Sequence, residues 1–105
     1  MTKPNITIPT DRIAAFCRKW QIAELALFGS VLREDFRPDS DVDVLVRFLP
    51  EARHGLFDLI RMQEEIKGIL GREVDLVEKS AIERSRNYIR RKAILSSAET
   101  VYASR

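Results

Sequence analysis

The chain is poor in the residues that cross-link or interrupt a fold, because its 105 residues include one cysteine, four glycines and four prolines. The single cysteine, Cys17, excludes an internal disulfide, and its apolar neighbours indicate a reduced thiol packed in a core, which fits the cytosol. The sequence also contains no repeat, low-complexity tract or flexible linker. These absences predict a single domain that spans residues 1–105.

Long apolar runs are missing as well. The longest run, at 13–17, has five residues, whereas a membrane-spanning helix needs about 20. The first ten residues lack the apolar segment of a secretory signal. We therefore expect no membrane contact and a cytoplasmic location.

Neither sign of charge dominates, since 18 basic side chains and 16 acidic ones leave a net charge of +2. That value is too small to argue by itself for nucleic-acid binding, and nucleic acid is not expected as a direct ligand. Residues 81–105 nevertheless hold 6 basic and 2 acidic side chains, net +4, so that the first 80 residues carry net −2. This basic end is a candidate contact surface, with an ordinary solvated helix face as the equally weighted alternative.

Apolar periodicity is present throughout, and 45% of the residues are hydrophobic, enough to form a core at this length. The first half predicts a helix over 11–19 with Thr10 as its N-cap, a strand over 25–28 that stops at Gly29, a short helix or turn from Ser30, a loop over 37–40 and a strand over 41–48. The second half predicts a helix over 56–70 that Gly71 ends, a strand over 73–78, and a basic final helix that begins at a Ser80–Glu83 capping box and fades near Ser97. This order predicts an α/β fold of the α+β type, a small mixed sheet with helices packed on it.

One motif combines these elements into a candidate site: Gly29-Ser30 ends one strand, and Asp41 and Asp43 follow after ten residues on the next. A glycine before a helix start lets the backbone approach a phosphate closely, and the free N–H groups favour negative charge. The hydroxyl of Ser30 adds a further hydrogen bond. This half of the motif predicts a nucleotide phosphate site.

The aspartates supply the other half of the site. Carboxylates at alternate strand positions point the same way about 6.6 Å apart, and their repulsion at an effective dielectric of 20 is about 2 to 3 kcal/mol. Such a pair favours Mg²⁺, and two metal ions can clamp the attacking and leaving oxygens of a displacement at phosphorus. Asp75 of the third strand could complete the site, either as a metal ligand or as the general base that accepts a proton. The sequence does not separate these two roles.

Three segments, at 25–30, 37–46 and 71–77, carry these residues and resemble the minimal nucleotidyltransferases of the polymerase-beta superfamily. The resemblance covers about residues 20–80. It implies the nucleotidyltransferase fold, with Gly29 and Ser30 holding nucleotide phosphates and with Asp41 and Asp43 binding Mg²⁺. Asp75 matches the third carboxylate of the family, so that the catalytic and metal-binding set is Asp41, Asp43 and Asp75.

Family members that resemble this chain are antitoxins of HEPN-domain ribonuclease toxins, which they silence by transferring AMP from ATP to a toxin tyrosine. The resemblance thus implies a protein adenylyltransferase with ATP as substrate, two Mg²⁺ ions in the presence of nucleotide, and a HEPN-type toxin as hetero-oligomeric partner. It also implies that the partner supplies the acceptor surface, because the chain has no second domain to do so.

Two alternatives remain open at this stage: an inert antitoxin that neutralises its partner by binding alone, and transfer to a small molecule, ranked last because so short a chain offers little wall for a deep pocket. A calcium loop that begins at Asp39 is excluded, because Val44 and Pro50 stand where such a loop needs glycine and glutamate. His54 has no second ligand beside it and receives no zinc role. Arg33 and Arg37 could contact nucleotide phosphates or lie exposed in solvent.

Overall fold

The computed structural model describes residues 6–33, 36–37 and 39–104. Within these ranges the helices and strands occur in the following order: α1 (Thr10–Lys19), β1 (Ile22–Phe28), a 3₁₀ turn (Gly29–Leu32), β2 (Val42–Phe48), α2 (Leu56–Leu70), β3 (Val74–Glu78), α3 (Lys79–Glu83), α4 (Tyr88–Ser97) and β4 (Glu99–Ala103). No helix in the described part of the chain is both long and apolar enough to cross a lipid bilayer.

The four strands form one mixed sheet in the order β3-β2-β1-β4. Strand β1 is antiparallel to both β2 and β4, whereas β2 and β3 are parallel and are joined by the crossover helix α2. The register places Asp43 of β2 directly beside Phe28 of β1 on one side and beside Asp75 of β3 on the other. The predicted mixed sheet is confirmed, and its register brings two of the predicted site residues together.

The main core lies between one face of the sheet and the helices α1 and α2. Alternate residues of each strand face this layer, as the valine pattern of β2 predicts. The fully buried members include Ile13, Phe16 and Cys17 of α1, Met62 and Ile66 of α2, and Leu25, Leu27, Val42, Val44 and Val46 of the sheet. Cys17 is a free thiol whose burial raises its pKa to about 12, which confirms it as a core residue.

A second, smaller core covers part of the opposite face of the sheet. It joins Ile82 of α3 and Ile94 of α4 to Ala26, Phe28 and Leu45. Because successive strand residues alternate between faces, Asp43 shares this second face with Leu45, and Asp75 shares it with Val77. The carboxylates therefore lie on the α4 side of the sheet, away from the main core.

Two predicted helix starts are wrong. Helix α1 begins at Thr10 itself, Pro9 occupies the N-cap position, and no side chain caps the helix. The Ser80–Glu83 capping box does not form either, because Ser80 already lies inside α3 and its hydroxyl donates to the carboxylate of Glu78 at 2.6 Å.

The predicted single final helix is also wrong, since a break at 84–87 divides it into α3 and α4. Asn87 caps α4, and its side chain accepts a hydrogen bond from the backbone N–H of Arg90 at 3.0 Å. The chain then returns along β1 as β4, an element that the sequence reading omits. Strand β1 is longer than predicted and includes Glu24, which interrupts its apolar run. The strand tolerates this residue because the Glu24 carboxylate forms ion pairs with Lys79 at 3.1 Å and Arg47 at 4.0 Å.

Candidate active site

Gly29 ends β1 in a conformation that only glycine adopts readily, with φ of +77°. Its α-carbon also lies against the side chain of Asp43, so that a Cβ at residue 29 would overlap a carboxylate oxygen and lie 3.2 Å from Cγ. The backbone then forms the 3₁₀ turn that contains Ser30, and the fully buried Val31 anchors this turn in the core. The structure thus places the two halves of the motif, Gly29 and Asp43, in direct contact.

Asp43 is the half-buried centre of the site. Its pKa is raised above the usual aspartate range, chiefly by desolvation and then by the negative charges of Asp75 and Asp41. The guanidinium groups of Arg33 and Arg90 oppose this shift. The carboxylate of Asp43 is therefore held among like charges in a site that would gain from an added cation.

Asp41 and Asp75 are exposed and flank Asp43. Asp41 immediately precedes β2, whose first residue, Val42, donates a backbone hydrogen bond to Glu73 at 2.9 Å and so begins the pairing with β3. The loop before Asp41 is closed by two hydrogen bonds, from Arg37 N to the Ser40 hydroxyl at 3.1 Å and from Ser40 N to the Arg37 carbonyl at 3.0 Å. All three predicted carboxylates thus lie where β1 ends and where β2 and β3 begin.

The donor chemistry fits a divalent cation that is shared with a phosphate. Among the described residues, no group of three or more Asp, Glu, His or Cys side chains forms a complete metal cluster. Asp41 and Asp43 nevertheless provide hard oxygen ligands, and a cation beside Asp43 would relieve the repulsion that raises its pKa. Mg²⁺ commonly takes one or two carboxylates and completes its shell with water and substrate phosphates, which is what these residues offer.

An open cleft of about 440 Å³ lies beside this cluster, between the turn and the last helix. Gly29, Leu32 and Arg33 line one wall, and Ala93, Ser96, Ser97 and Glu99 line the other. The cleft is open to solvent on one side, and Gly29 of the turn lies in its wall.

Sequence reasoning missed Arg90 as a site residue, although the pattern held a signal for it. Arg90 precedes the buried Ile94 by four residues, which places both on one side of α4. From the sequence, the basic residues of the final segment indicate a contact surface or a solvated helix face. Arg33 does act on Asp43 electrostatically, whereas the described contacts of Arg37 involve its backbone.

The contacts of His54 are structural. Its Nε2 atom lies 2.7 Å from the carbonyl oxygen of Trp20, and its ring packs against the rings of Trp20 and Phe48. This histidine joins the loop before α2 to the end of α1, at a distance in sequence from the motif.

Comparison with protein families agrees with this geometry. The model of the nucleotidyltransferase domain matches residues 12–97. Protein adenylyltransferase MntA of Thermococcus cleftensis is 39% identical over 64 residues, which are 61% of this chain and 63% of that protein. A predicted protein adenylyltransferase of Methanocaldococcus jannaschii is 33% identical over 78 residues, 74% of this chain and 82% of that protein. The match therefore spans less than two thirds of the Thermococcus relative.

Solved structures show the same fold. A minimal nucleotidyltransferase that is 29% identical superposes with a TM-score of 0.65 over 85% of each chain. A toxin–antitoxin structure with AMP-PNP, 15% identical, has a TM-score of 0.68 and covers 93% of this chain and 76% of that one. The MNT antitoxin in complex with a tri-AMPylated HEPN toxin of Shewanella oneidensis, 18% identical, has a TM-score of 0.60 and covers 90% and 70%. The α+β fold predicted from the sequence is confirmed.

Proposed function

This chain belongs to the nucleotidyltransferase domain family, and from that premise we propose that it is a Mg²⁺-dependent protein adenylyltransferase. The proposed reaction transfers AMP from ATP to a hydroxyl group, expected to be that of a tyrosine, on a HEPN-type ribonuclease toxin. The observation that carries the proposal is the contact between Gly29 and Asp43. This contact joins a turn that is suited to hold a phosphate to carboxylates that are suited to hold a divalent cation, which is the combination that nucleotidyl transfer requires.

The proposed site residues have different roles, which follow from their positions. Gly29 and Ser30 would hold phosphate oxygens of ATP through the backbone N–H groups of the turn, whose positive φ at Gly29 only glycine adopts readily. Asp41 and Asp43 would hold Mg²⁺, and Asp75 would either complete this metal site or accept the proton of the acceptor hydroxyl. When bound, the metal would supply charge neutralisation for the triphosphate and stabilise the departing pyrophosphate.

In this reaction the acceptor oxygen forms a bond to the α-phosphorus, and the bond from that phosphorus to the oxygen bridging to the β-phosphate breaks. Pyrophosphate leaves with the electron pair of the broken bond. The hydroxyl proton passes to a base, and Asp75 is the candidate because it is exposed and directly beside Asp43 in the sheet. The protein's main contribution would be to position the reactants.

The partner is proposed from the relatives, because adenylyltransferase MntA and the solved toxin–antitoxin complexes are similar to this chain. The surface of the chain is suited to a hetero-oligomer, since large apolar side chains are exposed on two helices. Leu56, Phe57 and Ile60 of α2 are 71%, 78% and 52% exposed, and Tyr88 and Ile89 of α4 are 59% and 81% exposed. We propose a cytoplasmic location on the basis of the free thiol of Cys17.

The same exposed side chains favour a second candidate, an antitoxin that neutralises its partner by binding alone. The two candidates differ in their need for the carboxylates. In the binding mode Asp43→Asn leaves neutralisation intact, whereas in the transferase mode the variant binds the toxin and fails to silence it.

The test is the intact mass of the co-expressed toxin, measured after expression with this protein and with its variants. We expect the toxin to gain one or more AMP units with the unaltered protein and none with Asp41→Asn or Asp43→Asn. Asp39→Asn is the matched control, because it removes an exposed carboxylate two residues before the motif and should leave modification unchanged. A toxin that is silenced but carries no AMP would overturn the transferase proposal in favour of binding.

A further inference from the structure

Helix α4 brings a basic side chain to the carboxylates from outside the motif. Ile94 of α4 packs in one cluster with Phe28 and Leu45. Arg90 lies one turn before Ile94 on the same side of the helix. Asp43 lies on the same sheet face as Leu45, two residues before it, and directly beside Phe28. The packing of α4 therefore directs Arg90 toward Asp43.

The surroundings of Arg90 differ from those of the neighbouring arginine. The guanidinium of Arg91 donates to the carbonyl of Ser85 at 3.2 Å and lies 5.3 Å from the ring centroid of Tyr88, so that it fastens α4 to the preceding loop. The backbone of Arg90 is fixed by the cap at Asn87. Its side chain is exposed, and within the described part of the chain its guanidinium has no hydrogen-bond or ion-pair partner.

The charges around the site indicate which group the guanidinium of Arg90 contacts. Three carboxylates surround the place where a triphosphate would enter, and a triphosphate adds further negative charge. Basic side chains stand on two elements near the carboxylates, Arg33 directly after the turn and Arg90 on α4. A planar guanidinium can donate two parallel hydrogen bonds to phosphate oxygens. Arg90 is thus placed to exchange its attraction to the carboxylates for direct contact with the substrate.

We propose that Arg90 is a triphosphate-binding residue, which reaches the nucleotide from α4, on the face of the sheet that carries Asp43. The inference rests on the proposed function, because it assigns a residue to the substrate of that reaction. It also gives the last helix a role in the site in addition to its role in the second core.

The test compares the affinity of three variants for a non-hydrolysable ATP analogue with Mg²⁺, measured by calorimetry in the absence of any acceptor. We expect Arg90→Gln to weaken binding about tenfold or more, as loss of a charge-assisted bidentate contact does. Arg90→Lys should restore part of the affinity. Lys92→Gln is the matched control, because this exposed lysine lies two residues further on, on another side of α4, and should change binding less than twofold.

A second probe separates phosphate contact from a general loss of structure. Binding of adenosine, which has no phosphate, should be the same for Arg90→Gln and for the unaltered protein, and circular dichroism should show the same fold. Equal affinity of Arg90→Gln and Lys92→Gln for the ATP analogue would overturn the role of Arg90 while leaving the proposed function in place. Failure of the unaltered protein to bind the analogue at all would instead overturn the proposed function itself.

Discussion

At the scale of single residues, the site depends on the close approach of Gly29 to Asp43. The sequence alone could predict that both residues serve one site, because glycine and aspartate at this spacing suggest phosphate and metal chemistry. It could not predict that they touch. That contact follows from the β1–β2 register, which places Phe28 beside Asp43, and register is set by long-range pairing rather than by the local residue pattern.

Gly29→Ala tests this contact against a control within the same chain. Gly71 also has a left-handed φ, of +68°, but a Cβ there would have no atom within 4 Å. We expect Gly71→Ala to cost about 1 kcal/mol of unfolding free energy from backbone strain alone. Gly29→Ala should cost at least about 1 kcal/mol more and should weaken binding of the ATP analogue at least about tenfold. Equal results for the two variants in urea denaturation and calorimetry would show that the contact is unimportant.

The raised pKa of Asp43 predicts an unusual effect on stability. Because this pKa is higher in the folded than in the unfolded chain, ionisation of Asp43 disfavours the fold, and the cost is fully present above the folded-state pKa. Asp43→Asn should therefore raise the melting temperature at pH 7 with a metal chelator present. The gain should vanish as the pH falls below the ordinary aspartate value of about 3.9, where both states are protonated.

Thermal melts of both proteins across this range measure the effect, and Asp39→Asn serves as a control that should show no gain. A melting temperature of Asp43→Asn below that of the unaltered protein at pH 7 would contradict the account of the charges at this site.

At the scale of elements, most helices and strands could be predicted, and the errors lie where tertiary contacts override local signals. The valines of β2 and the Gly71 end of α2 are local patterns, and both are confirmed. The break between α3 and α4 was missed because the apolar spacing continues across it, whereas Asn87 starts a new helix. Strand β4 was missed because the sequence near the C-terminus is weakly patterned and its pairing partner is β1, more than 70 residues away.

The corrected helix starts give a direct comparison. Asn87 caps α4 through its hydrogen bond to the N–H of Arg90, whereas Ser80 bonds the Glu78 side chain within the first turn of α3. We expect Asn87→Ala to lower the unfolding free energy by about 1 kcal/mol, the usual cost of losing an N-cap. Ser80→Ala should change it by less than about 0.5 kcal/mol. A larger loss of unfolding free energy for Ser80→Ala than for Asn87→Ala in denaturant titrations would contradict this expectation and support a capping box at Ser80.

At the scale of the whole molecule, the sheet topology brings the three carboxylates and the Gly29 turn to one place. The chain leaves β1 at Gly29, and β2 and β3 begin there in parallel, so that Asp41, Asp43 and Asp75 meet the turn at a single end of the sheet. The residues of this site could be predicted from the sequence, but their position opposite α4 could not, because it depends on the packing of Ile94 against Phe28 and Leu45. The C-terminal part of α4 thereby lines one side of the cleft next to Gly29.

We propose above all that this end of the sheet binds a nucleoside triphosphate together with a divalent cation. A crystal structure of the protein with Mn²⁺ and a non-hydrolysable ATP analogue tests it most directly, because manganese is located by its anomalous scattering. We predict manganese bound to the carboxylates of Asp41 and Asp43, with the phosphates against the backbone of Gly29 and Ser30. An ordered nucleotide bound elsewhere, with no metal at these carboxylates, would contradict the claim.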